Sequence, residues 1–142
     1  MFRDILVPLD LGDPKIWEKA LETAVTLART YGARLRLMTV LPDYGMPVVG
    51  QFFPPDHSEK LRAKAREELR AIARRAVPEG IAVDVTVSQG SIWREIVREA
   101  KEREVDLIVM GSHRPGVGDY VLGANATRVA QRASASVMIV RS

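Results

Sequence analysis

The stretch that decides the fold is Leu107-Ile108-Val109-Met110-Gly111, in which four consecutive apolar residues end at a glycine. An apolar run without polar alternation is typical of a strand that is covered on both faces, in the interior of a parallel sheet. Ile5-Leu6-Val7, near the start of the chain, has the same character. We therefore predict that these two runs are the central strands of one sheet.

Three further apolar runs, residues 35–40, 81–87 and 137–140, extend this sheet. Helical segments separate the five runs, and strands that alternate with helices favour βαβ units and a mostly parallel sheet. The run at 81–87 alternates apolar with polar residues, which indicates an edge strand. With right-handed crossovers, the sequence predicts a doubly wound, Rossmann-like α/β fold. Its five-stranded parallel sheet has the order 3-2-1-4-5 with helices on both faces, in a single domain of residues 1–142.

Four helices are predicted between the strands. Asp13-Pro14 is a helix start, and Gly32 ends that first helix. Asp56 opens a capping box for the second helix, Ser91 begins the third, and the fourth covers residues 123–133. Apolar residues at helical spacing predict the side chains that face the sheet: Trp17, Leu21, Ala24, Ala28, Tyr31, Leu61, Ala65, Leu69, Ile72, Ala76, Ile92, Ile96, Ala100, Ala126, Val129, Ala130 and Ala133.

Composition excludes several classes of protein. The 142 residues contain no cysteine and two histidines, which rules out disulfides, thiolate metal sites and a multi-histidine metal site within one chain. Basic and acidic residues number 21 and 18, and both signs of charge run through the sequence without a basic patch or tail. We therefore expect no binding to nucleic acid. No segment approaches the ~20 apolar residues of a membrane span, so we expect no membrane association and a cytoplasmic location.

The predicted strand order places a crevice beyond the carboxyl ends of strands one and four, where ligands bind in doubly wound folds. Three segments converge there: residues 8–13, residues 111–118 and the start of the fourth helix at residues 123–127. Glycines let backbone N–H groups approach an anion, and a helix N-terminus adds unpaired donors and a positive dipole end. Asn125 and Thr127 can add side-chain donors and Arg114 a charged fork, so the arrangement suits a phosphate chain. The alternative is that these glycines end a strand and form an ordinary loop, since neither a Walker A loop nor a dinucleotide fingerprint is present.

Two residues of the crevice have further candidate roles. Asp10, at the end of strand one, could accept hydrogen bonds from ribose hydroxyls, could hold a Mg²⁺ ion, or could simply form a turn with Asp13. His113 could orient a phosphate or act as a base, although a lone loop histidine is more often a solvated bystander. No serine has the partners of a nucleophile, so we expect no catalytic residues and no enzyme. The helical spacing of Trp17 and Trp93 favours packing over ligand stacking.

Four short motifs occur in order along the chain: Ile5-Leu6-Val7-Pro8-Leu9-Asp10, Met38-Thr39-Val40, Gln89-Gly90-Ser91 and Leu107-Ile108-Val109-Met110-Gly111-Ser112-His113. As an ordered set they resemble the universal stress protein A family, and the resemblance covers essentially the whole chain. The carboxyl-terminal part, residues 112–115, 120–126 and 137–141, is similar to the F/G-type subgroup.

The resemblance implies a doubly wound, ATP-binding and usually dimeric domain linked to stress survival. The family's nucleotide motif is Gly-x2-Gly-x9-Gly-Ser/Thr, and Gly111 matches its first glycine and Gly123 its third. Arg114 stands at the second glycine, the interval before Gly123 is one residue shorter, and Ala124 replaces the Ser/Thr. Carried over to this sequence, the nucleotide-binding residues are Pro8, Leu9, Asp10, Val40, Met110, Gly111, His113, Arg114, Gly123, Ala124 and Asn125.

The resemblance also implies a role for each part of this set. Asp10 would meet the ribose, and the Val40 backbone would meet the adenine. The phosphates would lie against Gly111, Gly123, Ala124 and Asn125. The implied function is a regulatory or stress-survival module that holds ATP or ADP with little or no turnover, and Asp10 is the candidate residue for Mg²⁺ bound through the phosphates. The alternative is a non-nucleotide-binding, homo-oligomeric interaction protein of the same fold, which Ala124 and the shortened loop favour.

The last strand is the predicted dimer contact. Val137, Met138, Ile139 and Val140 are apolar on both faces and lack the charge or proline that normally protects an exposed edge. Two copies of this strand can pair antiparallel about a two-fold axis and satisfy each other's backbone groups. Edge exposure and the family resemblance together predict a homodimer, with a tetramer as a further option.

Overall fold

The described part of the chain alternates strands with helices from end to end. The structure is a computed structural model, and it describes residues 1–42, 57–112 and 123–141. The strands in these ranges are β1 (Asp4–Pro8), β2 (Arg34–Leu41), β3 (Val83–Gln89), β4 (Leu107–Gly111) and β5 (Ser136–Val140). The helices are α1 (Pro14–Tyr31), α2 (His57–Ala76), α3 (Ile92–Glu102) and α4 (Ala124–Arg132).

The strands form one sheet that is parallel throughout, in the order β3-β2-β1-β4-β5. In the middle, Ile5 of β1 lies opposite Leu35 of β2 on one side and Leu107 of β4 on the other. The predicted fold class and strand order are therefore confirmed. The two continuous apolar runs occupy interior positions, as expected of strands that are covered on both faces.

Helices cover both faces of the sheet. On one face, Trp17 and Leu21 of α1 and Leu69 of α2 pack with alternate strand residues such as Ile5 and Leu37. On the other face, residues of α3 and α4 pack with the strand residues that point the opposite way; this second core consists mainly of Leu6, Met38, Ile96, Ala100, Ile108, Ala126 and Val129. The period-two alternation of each strand thus supplies both cores at once. Among the described residues, no helix is both long enough and apolar enough to cross a membrane.

A cluster of charged residues lies at the amino ends of β1, β2 and β3, on the face covered by α3. Arg36 donates two hydrogen bonds to the carboxylate of Asp4, at 2.8 and 3.0 Å. Asp84 lies 3.6 Å from the same guanidinium and also bonds Arg34 at 2.6 Å. The hydrogen bonds that Arg36 donates to Asp4 raise the pKa of Arg36, and the nearby charges of Asp84 and Glu99 add to that effect, while partial burial opposes it. The sheet is therefore tied across three strands by charge as well as by backbone hydrogen bonds.

Several predicted details are wrong at the ends of elements. Tyr31, Leu61 and Ile92 are 41%, 36% and 43% exposed, although helical spacing predicted them to be inward. Tyr31 is the last residue of α1 and Ile92 the first of α3, so each stands at an end of its helix. Ala130 is also exposed, because α4 buries only the narrow stripe of Ala126 and Val129.

The predicted ends of the third strand and of the first helix compare differently with the structure. The third strand covers Val83–Gln89 rather than 81–87, because Ile81 belongs to a turn in which its N–H donates to the Pro78 carbonyl at 3.4 Å. Gly32 ends α1 as predicted, in the left-handed conformation with φ of 67°. Asp13 occupies the N-cap of α1 without a side-chain capping hydrogen bond. The predicted cap Asp56 lies outside the described residues.

Candidate functional site

The candidate site lies where neighbouring strands lead to opposite faces of the sheet. β1 continues into α1 on one face, whereas the helix that follows β4, α4, packs on the other face. Diverging connections leave a crevice beyond the carboxyl ends of the two strands. A cavity of about 480 Å³ occupies this position. Its size falls within the range of small-molecule sites, roughly 300–1,000 Å³.

Nine of the predicted nucleotide-binding residues line this one cavity. They come from the ends of β1, β2 and β4 and from the start of α4: Pro8, Leu9, Asp10, Val40, Met110, Gly111, Gly123, Ala124 and Asn125. The other two, His113 and Arg114, lie outside the described residues, as do Gly116 and Gly118. The structure thus brings together segments that are far apart in the sequence, as the strand order predicted.

The cavity also has apolar walls that the sequence reasoning did not assign to it. The additional lining residues are Ile16, Trp17, Met38, Pro42, Ile92, Ile96 and Ala126. Ile16 and Ile92 lie in the first turns of helices that directly follow strands, a position that could have identified both as crevice residues. Trp17 does pack in the core, as predicted, and is only 3% exposed. Trp17 nevertheless also lines the cavity.

Asp10 is held in a turn at the mouth of β1. Its Oδ1 accepts a hydrogen bond from the Gly12 N–H at 2.9 Å. Its backbone carbonyl accepts hydrogen bonds from the Trp17 indole N–H at 2.6 Å and the Asp13 N–H at 3.1 Å. The proposed turn with Asp13 is therefore present. Among the described residues, the Oδ2 of Asp10 has no hydrogen-bond partner, so this exposed side chain can still accept from a ligand.

The structure gives Gly111 a packing role. A Cβ atom at this position would lie 1.9 Å from the carbonyl oxygen of Ile16 and 2.7 Å from its carbonyl carbon. The first turn of α1 therefore approaches β4 so closely that no larger residue fits between them. This close approach also places Ile16 and Trp17 in the wall of the cavity. The glycine that matches the start of the phosphate motif is thus required by the packing of α1 on β4.

The amino end of α4 supplies unpaired backbone donors. Gly123 is the N-cap, with φ of −59° and ψ of 154°, and the first intrahelical hydrogen bond is from Thr127 N–H to Gly123 O at 3.0 Å. The N–H groups of residues 124–126 precede this bond and have no acceptor within the helix. The Thr127 hydroxyl was a predicted side-chain donor, but it already donates to the Gly123 carbonyl at 3.1 Å. Asn125 remains as the side-chain donor that lines the cavity.

Metal binding by side chains alone has little support at this site. Asp10 is the one carboxylate among the described lining residues. Within residues 1–42, 57–112 and 123–141, no group of three histidine, aspartate or glutamate side chains could hold a metal ion. A divalent ion here would need most of its oxygen ligands from a bound molecule or from water.

A ligand-sized crevice at the switch point of a doubly wound sheet is where α/β domains of this class bind their ligands. The model of the universal stress protein family matches residues 1–141, and the chain belongs to this family. It is similar to the universal stress protein YxiE of Bacillus subtilis, with 30% identity over 150 residues that cover 99% of this chain and 100% of that protein.

Solved structures agree with this assignment. The universal stress protein UspA from Lactobacillus plantarum matches with a TM-score of 0.76 and 28% identity, over 99% of this chain and 98% of that one. A universal stress protein solved in complex with cAMP matches with a TM-score of 0.67 and 21% identity, over 99% of this chain and 97% of that one. The family resemblance seen in the sequence is therefore confirmed.

Proposed function

We propose that this protein is a regulatory member of its family that holds ATP or ADP in the crevice, with little or no turnover. The observation that carries the proposal is the make-up of one cavity, which is lined both by apolar side chains and by the unpaired amino end of α4. A purine base needs apolar walls, and a phosphate chain needs backbone donors and a positive dipole end.

In the proposed pose, each end of the cavity holds a different part of the nucleotide. Val40, Met38 and Ile96 form an apolar wall where the base would lie. Asp10, with one carboxylate oxygen outside its turn, would accept from the ribose hydroxyls. Ala124 and Asn125 at the amino end of α4 would hold the phosphates, and Mg²⁺ would be bound mainly by those phosphates. The cAMP complex of a structural neighbour supports an adenine nucleotide for this fold.

The described lining of the cavity supports low turnover. Asp10 is the only titratable side chain on the described wall of the cavity. It lies at the ribose end of the proposed pose, whereas a general base for hydrolysis must reach a water beside the terminal phosphate. The described wall also supplies no arginine or lysine to stabilise charge in phosphoryl transfer.

Titration calorimetry of the full chain with ATP, ADP and AMP tests the proposal. Micromolar binding corresponds to about −8 kcal/mol and gives a clear signal. Trp17 fluorescence provides a second readout, since a base bound in the cavity would change its emission. The Trp93→Phe variant removes the other tryptophan, so that the signal comes from Trp17 alone. Absence of both heat and fluorescence change at millimolar nucleotide would favour the alternative, an interaction protein of the same fold that has lost the site. Phosphate release from bound ATP measures turnover separately.

We further propose that β5 forms a homodimer. Val137 and Ile139 pack toward one face of the sheet, and Met138 and Val140 toward the other, yet all four are only half-buried in a single chain. The bonds that flank the strand, Ser136 N–H to Asp106 O and Ser112 N–H to Val140 O, show which backbone groups point to β4. By alternation, the groups of Val137 and Ile139 point outward, where an antiparallel copy can pair with them.

A further inference from the structure

The opposite edge of the sheet, β3, also has backbone groups that point away from the sheet. The Leu35 N–H donates to the Ala82 carbonyl at 2.9 Å, and the Gly90 N–H donates to the Leu41 carbonyl at 3.0 Å. In a parallel ladder, even-numbered residues of this strand therefore bond to β2. By alternation, the N–H and C=O groups of Val83, Val85 and Val87 point outward. No strand among the described residues covers them.

A basic groove runs beside this edge. A cavity of about 510 Å³ is lined by Val83 and Val85 of β3 and by Arg70 and Arg74 of α2. Arg36, Arg103 and one carboxylate, that of Asp84, line its other side. Arg36 and Arg103 are committed to Asp4 and Glu99, respectively. Arg70 has no hydrogen-bond or ion-pair partner among the described residues, and Arg74 bonds only the exposed Glu67 at 3.0 Å. Two exposed arginines are therefore available to an incoming anion.

These arginines belong to a longer stripe on α2. Arg62, Arg66, Arg70 and Arg74 follow one another at intervals of four residues, which places them on one face of the helix. Arg62 donates to the side chain of Gln89, the last residue of β3, at 3.1 Å. Because Arg70 and Arg74 lie beside the start of β3, the stripe follows the strand along its length. Like charges at this spacing destabilise a helix, so packing alone does not explain the stripe.

The spacing of the stripe matches that of a strand. Four residues of an α-helix rise about 6 Å. Two residues of a β-strand rise about 6.6 Å, and successive side chains on one face of a strand are separated by that distance. A strand added beside β3 would therefore present every second side chain to a successive arginine of α2. The small mismatch is within the reach of a flexible arginine side chain.

We propose that the outer edge of β3 and the arginine stripe of α2 together receive an extended acidic segment of another protein. The segment would pair with Val83, Val85 and Val87 as a sixth strand, with aspartate or glutamate at alternate positions facing α2. Backbone pairing supplies affinity and the alternating charge supplies selectivity, as in other cases of strand addition. β3 has no proline, and its one charged residue, Asp84, points to the face covered by α3 and is engaged by Arg34. The α2 side of this edge therefore lacks the usual protection by a charge on the strand itself.

Fluorescence anisotropy with a labelled peptide tests the proposal on the full chain. The probe is an alternating Thr-Glu peptide of about ten residues, the length of a long strand. The control peptide has the same composition, with all threonines before all glutamates. We expect the alternating peptide to bind at least tenfold more tightly. Equal binding of the two peptides would show simple charge attraction and overturn the proposal, as would no binding of the alternating peptide.

Protein variants separate the two parts of the site. Arg70→Glu should weaken binding of the alternating peptide at least tenfold, whereas Arg75→Glu, the same charge change on another side of α2, should have little effect. Val85→Pro removes an outward donor and leaves the bonds to β2, while Val85→Ala truncates the same side chain and keeps the donor. We expect only the proline variant to lose the peptide. If Val85→Pro fails to fold, two N-methylated versions of the alternating peptide replace it. One lacks the backbone donors at its odd positions and the other those at its even positions. Full binding of both versions would overturn strand pairing.

Discussion

Gly111→Ala is the substitution that most directly tests how the crevice is built. The added Cβ would lie 1.9 Å from the Ile16 carbonyl oxygen, about 1.5 Å short of an ordinary contact at 3.4 Å. The obstacle is backbone in the first turn of α1, so it cannot turn aside as a side-chain terminus would. Overpacking a well-packed site costs typically about 1–3 kcal/mol, and we expect the upper end of that range here. Since Trp17 follows Ile16, the displaced turn should also change the wall of the cavity.

Urea denaturation followed by far-UV circular dichroism measures this loss, with tryptophan emission reporting the Trp17 environment separately. The matched control is Gly123→Ala, because Gly123 has φ of −59° and ψ of 154°, which any residue can adopt. Losing a glycine N-cap should cost no more than about 1 kcal/mol. If Gly111→Ala unfolded with the same free energy as the wild type, within about 0.5 kcal/mol, α1 could not approach β4 as closely as described. Full stability with lost nucleotide affinity would instead indicate that Gly111 acts on the ligand.

Three further substitutions test the charge cluster, the phosphate end and the dimer. Arg36→Met should cost about 3 kcal/mol of unfolding free energy, because it leaves the Asp4 carboxylate, 17% exposed, without its partner. Adding Asp4→Asn removes that unpaired charge, and thermal denaturation should show that the double variant recovers most of the loss. Asn125→Asp should weaken ATP binding at least tenfold, about 1.4 kcal/mol, because it places a negative charge against the phosphates. Gln131→Glu makes the same charge change elsewhere on α4 and should leave ATP affinity unchanged; calorimetry measures both. Ile139→Pro should abolish the dimer in analytical ultracentrifugation without disturbing the bonds to β4, while Ile139→Ala should retain it.

A different result in each of these three experiments would contradict the corresponding expectation. A double variant at positions 4 and 36 that is no more stable than Arg36→Met would show that the cost lies in lost packing of the guanidinium stem. Equal ATP affinity in Asn125→Asp would remove the phosphates from the amino end of α4. A monomeric wild type at tens of micromolar would refute the dimer, and a folded, dimeric Ile139→Pro variant would move the interface to another surface.

The sheet could be predicted from the sequence because local pattern and topology agree. Continuous apolar runs at 5–7 and 107–110 can only be covered on both faces, which fixes them inside the sheet. The alternating run that became β3 can tolerate one polar face, which places it at an edge. Right-handed crossovers then leave few strand orders. The crevice follows from that order, so most of its lining could be named before any coordinates.

The errors arise where a residue's surroundings depend on distant parts of the chain. Helical spacing shows that Tyr31, Leu61 and Ile92 share a face with buried residues, but it does not show where the sheet beneath that face ends. Thr127 has the right chemistry for a phosphate donor, yet its hydroxyl already donates a hydrogen bond to the carbonyl one turn earlier. Gly111 fits a phosphate motif by its position in the sequence. Only the packing of α1 shows that the close approach of Ile16 already requires a glycine there.

The two edges of the sheet differ in a way that separates their proposed uses. β5 is apolar on both faces, which suits a copy of itself. β3 is bordered by cations along α2, and two such edges brought together would repel each other, which disfavours self-pairing and favours an acidic partner. Because three strands lie between them, a dimer through β5 would leave both β3 edges accessible at its two ends. The crevice opens at the carboxyl ends of the central strands, away from either edge, so a nucleotide there could affect partner binding only by moving the sheet or its helices.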